Sequence, residues 1–210
     1  MPQVRQRFFE YSAQDREELA RRDAKLGCAI RKIGAIARPV YADAFAGLVH
    51  AILGQQVSAK AHAKAWQRFQ TAFASLEPAA VAACPEGSLS KALGTSGRKA
   101  GYIRSISQEF AAGELSHARL AELDDNALRA LLSGYRGIGR WTCDMVLIFT
   151  FQRKNILSYE DLGIRKGMAL LYGHETVTPE NFQEHLAAYT PHATLAGLYL
   201  WEIAGRKGVF

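Results

Sequence analysis

Along most of the chain, apolar side chains recur three and four positions apart, the period that gathers them on one face of a helix. Ser12 followed by Asp15 has the form of a capping box, and Leu19, Leu26, Ile30 and Ile33 then follow at helical spacing. Asp43 can cap a helix that places Phe45, Leu48, Val49 and Ile52 on one face, and Ser58 can cap the next, which carries Trp66, Phe69 and Phe73. Further helices are predicted over Gly97–Ala112, Asp125–Leu132, Arg140–Phe151 and Leu162–Tyr172. Thr178-Pro179-Glu180 reads as the start of another and Pro191 as the start of the last, because proline fits the first helical turn. Pro78, Pro85 and Gly87 punctuate a connection between helices. No alternating segment of convincing length exists, so sheet content should be negligible.

Composition supports the helical reading. Ala and Leu together number 56, against 27 for Val, Ile and Thr. An apolar fraction of 49% excludes an intrinsically disordered chain, and 210 residues suffice for one domain or two small lobes with a real core. The longest stretch free of Asp, Glu, Lys and Arg is His185–Trp201, which holds two histidines and Pro191 and is unlike a membrane span of about 20 apolar residues. MPQVRQRFFEYS lacks the apolar run of about 7–15 residues that a secretory leader needs, so a cytoplasmic protein is expected. Cys28, Cys84 and Cys143 are odd in number and far apart, which predicts three reduced, buried thiols. The six histidines form no HxxxH or HExxH pair and predict no metal site. The net charge of +6 favours an acidic partner, nucleic acid being the commonest.

The chemistry concentrates in Leu131–Gly167, which reads as helix, tight GYRGIG turn, second helix, polar loop, and then Asp161 opening another helix. Gly137 and Gly139 leave the turn without side chains, so a polyanion can approach the backbone closely. The first N–H groups of the helix that follows have no intrahelical partners, and with the positive end of the helix dipole they make a phosphate site indifferent to base sequence. Arg136 and Arg140 flank it and would add charge-assisted contacts. Among the Arg-Lys pairs, Lys99 and Lys154 are candidates for further phosphate contacts.

A GxG turn between two amphipathic helices, with Thr142 just after it and an aspartate about 20 residues on, resembles the helix-hairpin-helix superfamily of DNA glycosylases. Within it the chain is most similar to the alkylation-repair branch, the 3-methyladenine DNA glycosylase II family. LVHAILGQQVSAKAHAKAW (48–66), GTSGRKAGYIRSI (94–106) and LYLWEIAG (198–205) also look like family segments. The resemblance implies that Asp161 is the catalytic carboxylate, able to stabilise an oxocarbenium-like sugar and to orient or deprotonate water. Taken alone Asp161 would read as a helix cap, but its position after the hairpin favours the catalytic role, the two being compatible, and Glu160 is its adjacent competitor. Trp141 stands where strand-nicking members usually carry a Schiff-base lysine, so hydrolysis without lyase chemistry is expected. Trp141, Met145, Trp201 and Tyr135 match the base pocket, where ring faces would attract a cationic alkylated purine. Ordinary packing is the competing reading for each tryptophan. Gly137, Gly139, Arg140 and Thr142 match the DNA-binding hairpin, and Gln56 the residue that fills the gap left by a flipped nucleotide. The backbone carbonyls of Ser133, Tyr135 and Ile138 match those that hold a monovalent cation. No organic cofactor is implied.

The expectation is therefore an all-α, two-lobed helical bundle with an active-site cleft between the lobes. Residues 1–47 with 162–210 would form one lobe, and 48–161 the other, including the hairpin motif at about 125–151. The expected activity is that of a monomeric, monofunctional glycosylase acting on double-stranded DNA with damaged bases, removing 3-methyladenine and possibly 7-methylguanine. The rivals are a glycosylase of the same fold for a neutral base such as uracil or hypoxanthine, and a non-catalytic DNA-binding protein.

Overall fold

The computed structural model describes residues 7–206. In chain order the elements begin with β1 (Arg7–Phe8), α1 (Ala13–Arg22), α2 (Ala24–Ile33) and β2 (Pro39–Val40). There follow α3 (Ala44–Gly54), α4 (Ala59–Ala72), α5 (Pro78–Ala83), α6 (Glu86–Leu93), α7 (Gly97–Ala112), α8 (His117–Ala121), α9 (Asp125–Ser133) and α10 (Arg140–Phe149). The last are α11 (Leu162–Tyr172), α12 (Pro179–Tyr189) and α13 (Ala193–Gly205). Among the described residues the fold is all-α apart from the two-residue strands, which pair antiparallel.

The chain divides into two compact units. One takes in the residues through Val40 and those from Leu147 on; the other is Tyr41–Val146. The exchange points lie ahead of the expected 47/48 and 161/162. Asp43 caps α3, whose buried residues belong to the second unit, and the last turn of α10 already belongs to the first.

Caps explain most of the boundaries. Ser12 and Asp15 form the reciprocal capping box, and Asp43, Ser58 and Thr178 each accept a first-turn N–H of the helix they precede. Each such cap contributes about 1 kcal/mol. Three expectations about the helices need correction. Leu19 to Ile33 is not one helix: Asp23, in extended conformation, ends α1 and caps α2 through a 2.8 Å bond from the Leu26 N–H. The 78–93 stretch is more than a connection, because Pro78 and Pro85 each begin or precede a short helix. The last helix starts at Ala193, after the cis Thr190-Pro191 bond. Of the cysteines, only Cys143 is buried; Cys28 is exposed and Cys84 half-buried, all three as free thiols.

In the first unit, Leu19, Leu26, Ile30, Ile164, Met168, Phe182, Leu198, Tyr199 and Ile203 close one core. α11 lies hard against α13, since a Cβ on Gly167 would come within 2.0 Å of the Leu200 carbonyl oxygen. The buried phenols are satisfied: Tyr172 donates to Asp23, its hydroxyl also pairs with that of Tyr189, and Tyr199 donates to the Gly34 carbonyl. In the second unit α3 is buried along nearly its whole length and touches α4, α7 and α8. Asp144, 1% exposed, is held on α10 by Arg129 of α9 at 2.8 Å, an ion pair that ties the two helices flanking the hairpin.

Candidate active site

In the second unit, the hairpin is a tight turn. The Ile138 N–H donates to the Tyr135 carbonyl at 3.1 Å, and Gly137 has φ +88 at the third position of that turn. A left-handed residue there defines a type II turn and calls for glycine. Space demands it as well, because a Cβ on Gly137 would fall 2.2 Å from the Tyr102 ring. Gly139 differs: no heavy atom lies within 4 Å of where its Cβ would be, and its carbonyl accepts the Cys143 N–H that begins α10. The two glycines thus divide the work, Gly137 shaping the turn and Gly139 leaving its outer side open. Arg136 and Arg140 are exposed, and Arg140 keeps its guanidinium at 3.5 Å from Asp144.

The Gln55-Gln56 pair leads away from the end of α3. The Gln55 side-chain amide donates to the Gly137 carbonyl at 2.8 Å and to the Thr142 hydroxyl at 3.0 Å. Gln56 is exposed at φ +51, a conformation uncommon for a residue with a Cβ. The Thr142 side chain, expected on DNA, is instead buried and taken up by Gln55. Lys99 corrects likewise: its ammonium bonds the carbonyls of Leu53 and Gln55 instead of facing outward. Met145 is buried and Trp141 half-buried. The Tyr135 hydroxyl reaches Glu109 at 3.4 Å, and burial, with that carboxylate beside it, raises its pKa.

In the first unit, Asp161 caps α11 and is 8% exposed. One carboxylate oxygen, Oδ1, accepts the Ile164 N–H at 2.9 Å and the Trp201 Nε1–H at 2.9 Å. The Trp201 indole is stacked on Phe149 of α10, ring centres 5.6 Å apart and 25° from parallel. Glu160 is exposed. Lys154, the other phosphate candidate, lies 3.7 Å from Asp15.

Residues 49–192 match the family described as HhH-GPD superfamily base excision DNA repair protein. The chain belongs to that superfamily. Its relatives within the superfamily include DNA-3-methyladenine glycosylase 1 of Schizosaccharomyces pombe, 29% identical over 163 residues that make up 74% of this chain and 70% of that protein. Among solved structures, the fission yeast 3-methyladenine DNA glycosylase in complex with abasic DNA superposes with a TM-score of 0.83 at 25% identity, over 90% of this chain and 96% of the other. DNA-3-methyladenine glycosidase from Bacillus halodurans gives 0.77 at 29% identity, over 95% and 93%.

In this HhH-GPD chain, two contributors to the site escape a reading of the sequence. Gly163 is the first. A Cβ there would sit 2.8 Å from the Trp201 ring and 3.1 Å from Asp161 Oδ1, so only glycine lets indole and carboxylate meet. The second is the Trp201 N–H, 40 residues downstream of the aspartate it orients. The only local signal for either was a glycine two positions into a helix, where alanine would be the default.

Proposed function

We propose that the chain is a monofunctional glycosylase that acts on double-stranded DNA and removes alkylated purines, 3-methyladenine foremost and 7-methylguanine, by hydrolysing the N-glycosidic bond. The observation that carries the reading is the fixed carboxylate of Asp161, whose Oδ1 is bound by a backbone N–H and by the Trp201 indole. Breaking the bond between base and sugar leaves positive charge on the sugar, and a preorganised anion is the group that stabilises it most. The same carboxylate orients or deprotonates the attacking water. A plain helix cap needs only the Ile164 bond; the Trp201 donor and the missing Cβ of Gly163 serve no cap.

The other parts follow from this reaction. The open side of Gly139, the first-turn N–H groups of α10 and the exposed Arg136 and Arg140 suit a DNA phosphate. Gln56 fills the gap left by the flipped nucleotide and offsets part of its unstacking cost. Trp201, bound to the carboxylate, offers an electron-rich ring to a cationic base, and such a base leaves readily without a strong general acid. An indole at position 141 cannot form an imine, so no lyase step occurs through it. The carbonyls of Ser133, Tyr135 and Ile138 fit a monovalent cation: they are neutral oxygens, and that of Ser133 closes α9 at the negative end of its dipole. When bound, the ion would add positive charge toward the phosphate.

Support for the alkylated substrate comes from the named relatives, and one experiment tests it. Duplexes carrying methylated purines, uracil or hypoxanthine are incubated with the protein and the released base is identified. Release of methylated purines alone is the expected result. Release of a neutral base alone replaces the substrate reading, and release of none overturns the glycosylase assignment.

A further inference from the structure

Lys99 sits in the first turn of α7, yet its ammonium reaches back to the end of α3. It donates to the Leu53 carbonyl at 3.1 Å and to the Gln55 carbonyl at 2.6 Å. Carbonyls at a helix C-terminus lack intrahelical partners and sit at the negative end of the dipole, where a cation is the best complement. Burial, with Arg98 nearby, lowers the pKa of this lysine, so its charge is kept at some cost and both contacts are charge-assisted.

What this cation holds is the dipeptide that carries the wedge. Gln55 leaves α3 in extended ψ, and Gln56 then turns left-handed at φ +51 with its side chain exposed. A conformation of that kind persists in a residue with a Cβ only where its surroundings impose it, and such residues concentrate at ligand clamps. Here it is imposed from two directions. Lys99 grips the backbone ahead of Gln56, while the Gln55 amide is bound to the Gly137 carbonyl and to Thr142 in the hairpin.

We propose that Lys99 is a positioning residue for base flipping: it holds the turn at residues 55–57 in the shape that presents Gln56 to the duplex, and Gln55 locks that turn to the phosphate-binding hairpin. Wedge and hairpin are then one pre-formed platform that needs no ordering when DNA docks, and rigidity of this sort raises the yield of each binding contact. The inference rests on the reading of Gln56 given above. It also replaces the phosphate role that the basic residue would have had on the surface.

The test compares wild type with Lys99→Met, Lys99→Arg and Gln55→Met. Extrusion is read from the fluorescence of 2-aminopurine placed beside the lesion, excision from single turnovers, and docking from the salt dependence of affinity for undamaged duplex. Lys99→Met is expected to lose about tenfold in extrusion and in excision of a paired lesion, a factor that corresponds to about 1.4 kcal/mol. A lesion already unpaired in a bulge should lose less than about threefold, because its flipping cost is smaller. Lys99→Arg, whose fork can reach both carbonyls, should recover most of the loss. Gln55→Met keeps the lysine and should show the same paired-versus-bulged difference. The salt slope should be that of wild type in all four proteins. A slope lowered by about one in Lys99→Met would make the residue a phosphate contact and overturn the proposal. So would wild-type extrusion, or an equal loss on paired and bulged lesions. The extrusion signal does not depend on which base is cleaved, so it decides the role of Lys99 separately from the substrate assignment.

Discussion

Exchanging one atom at Asp161 separates its two roles. In Asp161→Asn the amide oxygen can still accept both the Ile164 N–H and the Trp201 Nε1–H, each at 2.9 Å in the wild type, so neither donor is orphaned. What disappears is the charge. Bonds to an ionised acceptor are about twice as strong as neutral ones, and neutral ones contribute about 0.5–1.5 kcal/mol each. The lower desolvation cost of the amide, at a site only 8% exposed, offsets part of that difference. The net destabilisation should be about 1 kcal/mol or less, a fall in Tm of about 2–4 °C for a chain of this size. Asp161→Ala instead strands both donors at about 1–3 kcal/mol apiece and should melt markedly earlier. Single-turnover excision should order differently. Removing one preorganised electrostatic group commonly slows reaction by about 10²–10³-fold, or about 2.7–4 kcal/mol, so Asn and Ala should be similarly slow. Calorimetry on the three proteins, with gel-resolved single turnovers on methylpurine duplex, supplies both rankings. If Asn excises like wild type, or if both rates merely track the melting temperatures, Asp161 is a cap and the catalytic argument fails.

Three further perturbations address the neighbouring groups. Gly163→Ala places a methyl group against Trp201 and Asp161 Oδ1, so excision should drop by about tenfold or more while affinity for undamaged duplex stays unchanged; an unaffected rate would show that the Trp201 bond is dispensable. Borohydride added during turnover should trap no protein–DNA adduct, with strand breaks appearing only after hot alkali, because Trp141 has no amine to form an imine; efficient trapping would refute the monofunctional reading. Gly139→Glu sets a carboxylate in the open space before α10, so binding of damaged and undamaged duplex should weaken alike, because phosphates carry no sequence information. Filter binding or anisotropy at several salt concentrations would measure it, and unchanged affinity would remove the hairpin as the docking element.

The parts of this molecule legible in the sequence are those written locally. Ser12, Asp43, Ser58, Asp161 and Thr178 announce their helices because a cap contacts a residue two or three positions away. The GYRGIG turn is legible for the same reason, its left-handed position falling on a glycine. Asp23 hides a break because the same residue ends one helix and caps the next, leaving the apolar period almost uninterrupted. The roles of Trp201, Lys99 and Thr142 are set by partners 40, 44 and 87 residues away, a separation at which no pattern in the sequence selects one pairing over another. An aromatic ring expected at a pocket wall turns out to steer a carboxylate, and a lysine expected on phosphate turns out to brace a loop.

The close approach of α11 to α13 limits how this protein can be made more heat-resistant. Replacing helical glycines with alanine ordinarily stabilises a protein by about 0.4–1 kcal/mol, by restricting the unfolded chain. On α11 the remedy fails, since a methyl group at Gly167 would run into the backbone of Leu200 and force the helices apart. Such a shift would also disturb the carboxylate and the indole carried by the same two helices, so any gain in endurance there would be taken from turnover. Gly87, on α6 with open space around its missing Cβ, carries no such obligation and is where thermal engineering should begin.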